Sequence, residues 1–282
     1  MKFYFFLFII FLVSCKNANE LTTEVVSEVV VDTLQSKVLN KKVPIRIYQP
    51  KKQDKSISLP LVYLLHGHGG SDDDWFTPEE GNVQHLLDSL IAANKIPKLI
   101  AVTINAENSW YVNSQENMET FYITEFIPTI ESRLYSNSSV TRRYIAGNSA
   151  GGYGALNFSL KYPNLFDAAM LLSPAAYYPT PPAISSSRKI DVFSKNGQFN
   201  DSIWQSYSYT KIVNDENTNS YPKFYISTGD DDAYQIFEVV AQLRAFFQTK
   251  NIEVETTVIN GGHTWDVWRK QFVNDIIRIF NE

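Results

Sequence analysis

The chain has 282 residues, of which 44% are hydrophobic and 20% charged, and its formal net charge is −5. This is the composition of a globular protein, and the excess of acidic groups leaves no electrostatic case for nucleic acid as a partner. A single cysteine excludes an intramolecular disulfide, and no internal repeat or low-complexity block divides the sequence.

The chain opens with one lysine and an unbroken apolar run from Phe3 to Val13. That run is shorter than the ~20 residues needed to span a bilayer and suits the apolar stretch of a secretory signal. It ends in Leu12-Val13-Ser14-Cys15, which resembles a bacterial lipobox. The resemblance implies a signal peptide over residues 1–14, cleavage before Cys15 and lipidation of that cysteine. A membrane partner through this anchor, and a place in the bacterial cell envelope on its periplasmic or surface side, follow as expectations. Residues 15–24 read as a polar tether, and residues 25–282 as one α/β domain.

Glu24–Leu34 and Val43–Tyr48 carry strand patterns and are expected as antiparallel strands at the edge of a sheet. Leu61–Leu65 is wholly apolar, as in a strand covered on both faces. Val83–Ala93 is an amphipathic helix, and Lys98–Ile104 the next buried strand. Glu119–Leu134 has apolar residues at helical spacing, with Pro128 expected to end or kink it. Then come a strand over 141–146, a helix to Lys161 and a strand over Ala168–Leu172. Residues 174–221 are rich in Pro, Ser, Tyr and Asn and break the rhythm. They read as an irregular lid near the carboxyl ends of the strands, where open α/β sheets bind ligands. Phe224–Ser227 and Glu253–Ile259 read as strands, Tyr234–Lys250 and Asp266–Phe280 as helices. Strands alternating with helices predict an α/β fold, a mostly parallel sheet with helices on both faces.

Gly147-Asn148-Ser149-Ala150-Gly151 fits G-x-S-x-G, with a strand before it and a helix after it. So sharp a turn forces the serine into strained backbone angles, and side chains two residues to either side would collide. Ser149 is therefore the candidate nucleophile, and the N–H of Ala150 a candidate oxyanion donor. A serine needs a base, and the base an orienting acid. Of the four histidines, only His263 lies downstream, between two glycines and a helix; His85 reads as a surface or core-edge residue. The acid should lie between the two, and Asp230-Asp231-Asp232 follows a strand. The physics of the sequence leaves the choice among the three open, except that the working carboxylate should be buried against His263 and the others exposed. His66-Gly67-His68-Gly69-Gly70 fits a loop giving the second oxyanion donor, the N–H of His68 or of Gly69. Its histidine rings read as structural. Asp72-Asp73-Asp74 reads as helix capping or a solvated loop. A zinc site on the two histidines lacks further ligands, the aspartate run is a rival only for metal binding, and no metal and no cofactor are expected.

These residues resemble the esterase D family of α/β-hydrolases. The likeness is carried by Leu64-Leu65-His66-Gly67, Trp110-Tyr111, Glu119-Thr120-Phe121, the block from Arg142 to Leu156, Lys161-Tyr162-Pro163-Asn164-Leu165-Phe166 and the block from Gly261 to Trp268. The family includes feruloyl and acetyl-xylan esterases, S-formylglutathione hydrolase, enterochelin esterase and the antigen 85 mycolyltransferases. The resemblance implies an α/β-hydrolase fold, Ser149 as nucleophile, His263 as base and, three residues after Gly229, Asp232 as acid, with Asp231 second. Asn105 stands where relatives often carry aspartate, a change that bears on the pocket, and Ala150 where many carry methionine. Trp110, Tyr111 and Trp265 are candidates for the substrate wall. The expected activity is hydrolysis, through an acyl-enzyme, of small acyl or phenolic esters of carbohydrates. An acyltransferase acting on a sugar or lipid hydroxyl and a siderophore esterase are the alternatives. A non-catalytic binding lipoprotein would have no use for a strained elbow.

Overall fold

The computed structural model describes residues 27–51, 57–135, 140–214 and 220–282. The signal peptide, Cys15 and the tether lie outside them. The strands are β1 (Ser27–Gln35), β2 (Lys42–Pro50), β3 (Leu61–Leu65), β4 (Ile100–Ile104), β5 (Arg143–Asn148), β6 (Ala168–Leu172), β7 (Ser194–Lys195), β8 (Gln198–Phe199), β9 (Lys223–Gly229) and β10 (Val254–Ile259). The helices are α1 (Val83–Ala92), α2 (Met118–Phe121), α3 (Ile127–Leu134), α4 (Ala150–Lys161), α5 (Asp201–Ser206), α6 (Tyr209–Ile212), α7 (Ile236–Thr249) and α8 (Trp265–Asn281).

Eight strands form one sheet in the order β1-β2-β4-β3-β5-β6-β9-β10. β1 and β2 are antiparallel, as are β2 and β4; every other pairing is parallel. Of the first two strands only β1 is an edge, because β2 is paired on both sides. The apolar run of β3 serves two cores. Leu61, Tyr63 and Leu65 face the layer built with α3, α4 and α7, while Val62 and Leu64 face α1 and α8. That division follows from the two-residue period of a strand.

Pro128 does not end its helix. A π-helical turn over Tyr122–Phe126 joins α2 to α3, and Pro128 falls in the first turn of α3. A proline ring clashes with the carbonyl four residues back and donates no hydrogen bond. Here that carbonyl belongs to Thr124, inside the widened turn, so the chain absorbs the proline without stopping.

The segment over 174–221 is more regular than expected. Its described part contains two short 3-10 turns, the β7–β8 hairpin, α5 and α6. The aromatics scattered through the sequence there converge on Trp204, which is 1% exposed. Its ring stacks on Tyr153 of α4 at 5.3 Å and meets Phe193 edge-on at 4.8 Å. Its Nε1 donates to the Tyr177 carbonyl at 3.1 Å. The lid is thereby pinned to the helix that begins at Ser149.

Candidate active site

The elbow is built by two close approaches. A Cβ on Gly147 would stand 2.3 Å from backbone atoms of Gly151, and one on Gly151 would stand 2.2 Å from the Leu65 carbonyl oxygen. Between them Ser149 takes φ 54° and ψ −116°, a strained region for a residue with a side chain. Its backbone is held on both sides. The Ser149 N–H donates to Leu172, and its carbonyl accepts from Tyr153 and Ala175.

β9 and β10 bring the other two residues. A Cβ on Gly229 would lie 2.0 Å from the Gly261 carbonyl oxygen, so the loops after these strands touch backbone to backbone. Asp231 N–H donates to that carbonyl, and Gly261 N–H to Asp230 Oδ1 at 2.9 Å. His263 Nδ1 is 2.7 Å from Asp232 Oδ2, and Nε2 is 2.8 Å from Ser149 Oγ. An ionised carboxylate only accepts, so Nδ1 carries the proton and, in the neutral ring, Nε2 accepts from the serine hydroxyl. The Asp232 side chain is fully buried. Tyr234 N–H donates to its Oδ1 at 2.9 Å, and Thr228 Oγ1 lies 3.4 Å from its Oδ2. Asp230 and Asp231 are exposed. Tyr234 and Trp268 hold the His263 ring from two sides, with centroids at 4.7 and 4.9 Å.

The loop over 66–70 runs past Ser149; the Cβ position of Gly67 is 3.5 Å from that of Ser149. His66 is a brace. Its Nδ1 donates to the Gly67 carbonyl at 2.7 Å, and its Nε2 accepts from Ala106 N–H at 2.9 Å. Burial lowers its pKa and that of His68, which keeps both rings neutral at ordinary pH. Gly69 is removed as an oxyanion donor, because its N–H donates to Asn108 Oδ1 at 2.8 Å. Of the two candidates on that loop, His68 is the one whose N–H has no acceptor among the described residues. The N–H of Ala150 opens α4, where no carbonyl of the helix can accept it.

A cavity of about 330 Å³ opens over Ser149 and His263. Trp110 and Trp265 are among the residues that line it. Tyr111 is not. It is 2% exposed, its ring lies against Gly154 of α4, and its hydroxyl donates to the His66 carbonyl at 3.1 Å. Its part is to support the loop from below. Asn105 also stays out of the cavity and caps its own loop by accepting from Glu107 N–H. Asp72 and Asp73 pair with Arg46, and Asp74 Oδ1 accepts from Ser71 N–H. His85 is exposed on α1.

Sequence reasoning missed Tyr177, Ser185, Ser186, Tyr234 and Trp268 in the wall. Tyr234, two residues past Asp232, and Trp268, one helical turn past Thr264, could have been reached from their neighbours. Nothing in the sequence around Tyr177 or the two serines marks them, since the lid folds back over the sheet to bring them there.

A family model described as "Putative esterase" matches residues 36–279. The acetyl esterase of Caldicellulosiruptor saccharolyticus is 29% identical over 259 residues, covering 85% of this chain and 93% of its own. An endo-1,4-beta-xylanase/feruloyl esterase of Xylanibacter ruminicola is 32% identical over 126 residues, 43% of this chain and 17% of that enzyme. Among solved structures, a ferulic acid esterase shares 25% identity and superposes with a TM-score of 0.75, over 92% of this chain and 98% of its own.

Proposed function

The chain belongs to the esterase family whose model spans it from residue 36 to residue 279, and from that premise we propose that it cleaves small acyl or phenolic esters of carbohydrates through Ser149, His263 and Asp232. The observation that carries this reading is the continuous relay of 2.7 and 2.8 Å from Asp232 through His263 to Ser149, at the floor of an open cavity. The acetyl esterase and feruloyl esterase relatives support the substrate class.

Ser149 Oγ attacks the ester carbonyl while His263 Nε2 takes its proton. Asp232 orients the ring and steadies the imidazolium that forms. The N–H groups of Ala150 and His68 face the developing oxyanion, each worth ~3 kcal/mol in the transition state. As the tetrahedral adduct collapses, His263 gives its proton to the leaving alcohol oxygen. Water then enters the alcohol's place, gives a proton to His263 and hydrolyses the acyl-enzyme. The strained φ of Ser149 holds the hydroxyl ready at no cost during reaction. The leader motif supports a second part of the same reading, a lipid on Cys15 that keeps the enzyme at the cell envelope.

The test is a panel of p-nitrophenyl acetate and butyrate, methyl ferulate and acetylated xylan, with Ser149→Ala as the blank. Turnover of the carbohydrate and phenolic esters by wild type, and its loss by on the order of 10⁴ or more in the variant, is the expected result. Undiminished turnover by Ser149→Ala would overturn the mechanism. Mass spectrometry of the protein from membranes checks the anchor; an unmodified Cys15 overturns it.

A further inference from the structure

A second cavity, of about 250 Å³, lies against the first. The two share Tyr177 in their walls, and the consecutive residues Tyr234 and Gln235 line one each. Two hydrogen bonds brace the partition between them. Tyr177 hydroxyl donates to the Tyr234 carbonyl at 3.0 Å, and Gln235 N–H to the Asp232 carbonyl at 3.0 Å. The turn that presents the catalytic carboxylate thus also presents the far wall of this groove. Arg188 Nε donates to the Pro181 carbonyl at 2.7 Å and fixes the opposite side.

The chemistry of the groove is mixed in one particular way. Tyr178 offers an exposed ring, 42% accessible, beside Pro181 and Pro182. Across from them Gln235, Glu238 and Gln242 stand along one face of α7 and its N-terminus, with exposed amides and one carboxylate. No cationic side chain is among the described residues that line it, and the Glu238 carboxylate repels an anionic ligand. An acyl chain would bury three polar side chains without satisfying them. A sugar ring matches both walls. Its C–H face packs on tyrosine and proline as apolar surface, and its hydroxyls both donate to and accept from amides and a carboxylate.

We propose that this groove is a subsite for a neutral glycosyl unit next to the one that bears the ester. The inference rests on the carbohydrate-ester reading given under Proposed function and extends it. The substrate is an oligosaccharide that crosses the Tyr177–Tyr234 partition, with the ester over Ser149 and a neighbouring sugar on Tyr178. A monomeric ester leaves the groove empty.

Tyr178→Ala and a Glu238→Ala, Gln242→Ala double variant test it, since all three side chains are exposed and outside the catalytic relay. One arm compares kcat and KM on p-nitrophenyl acetate with those on acetylated xylotetraose. Each variant should leave the small ester unchanged and raise KM for the tetraose by about fivefold to tenfold, the effect of one lost ring face in the first and of one or two lost hydrogen bonds in the second. The other arm uses no ester. Ser149→Ala is titrated with plain xylotetraose by calorimetry, with and without the groove substitutions. Weakened binding in the groove variants supports the subsite even if wild type cleaves no carbohydrate ester, which would overturn the substrate reading alone. No detectable binding of xylotetraose, or equal binding and equal KM in wild type and variants, overturns the subsite while leaving the esterase chemistry standing.

Discussion

Of the carboxylates at 230, 231 and 232, only that of Asp232 is buried, and it accepts from His263 Nδ1 and Tyr234 N–H. Asp230 has a different task, holding Gly261 and hence the start of the histidine loop. Substitution should separate the two. Asp232→Asn is expected to lower kcat on p-nitrophenyl acetate by on the order of 10⁴, because an amide favours the wrong tautomer of His263. Asp231→Asn should leave kcat within about twofold, since a solvated carboxylate at this range is screened. Asp230→Ala should fall between them by loosening the histidine loop. A steady-state series on the three variants checks the order, and equal losses at 231 and 232 would refute the assignment. The expectation that the working acid is the buried one was legible in the sequence. Which of the three it is became legible only through the resemblance, because consecutive aspartates look alike until the chain bends.

At the scale of elements, the elbow and the lid are coupled through α4. Its first turn places Ala150 N–H, and Tyr153 on the same helix stacks against Trp204 of the lid. Trp204→Ala removes a fully buried ring from this junction and should cost about 3–5 kcal/mol if the whole fold feels it. Where the lid opens by itself, the loss appears locally instead. Calorimetry together with hydrogen exchange over 174–214 reads the two cases, and faster exchange in that segment is expected in either. At the elbow, Gly151→Ala drives a methyl group into the Leu65 carbonyl, so β3 and α4 must part. A drop in Tm with loss of activity is expected, whereas an unchanged Tm would contradict the packing. Strand and helix positions were readable from periodicity. The helix through Pro128 and the order in the lid were not, because a π turn and a cluster of aromatics are settled by distant contacts.

For the molecule as a whole, the parallel strands β5, β9 and β10 end on one side of the sheet, and their loops bring Ser149, Asp232 and His263 together from 114 residues apart in the chain. On the back of that sheet, α8 buries Asp275, 2% exposed, with no partner for Oδ2 among the described residues. Burial raises its pKa from 3.8 to about 7, against the opposing pull of Arg278. The folded protein therefore keeps this proton where the unfolded chain has lost it. Stability from this group is fully present below the unfolded value near pH 4 and is lost as pH rises through about 7. Asp275→Asn removes the titration, so the variant should gain on wild type between about pH 4 and pH 7, at about 1.4 kcal/mol per pKa unit at most. Chemical denaturation of both proteins across that range checks the sign. A variant that loses stability relative to wild type as pH rises through this range would refute it.

The alternation of apolar strands and amphipathic helices, the glycine pattern around Ser149 and the single downstream histidine are local features, and they were sufficient for the α/β class and for naming two of the three residues of the proposed triad. Local patterns suffice there because a strand period, a helix period and a steric collision within five residues all act along the chain. The role of Tyr111 beneath the loop, the engagement of Gly69 by Asn108, the serines of the lid in the cavity wall and the groove on α7 depend on segments far apart in sequence. Their contacts exist only once the sheet has set its strand order, since burial and hydrogen bonding are properties of neighbours in space, and no short stretch of chain contains them.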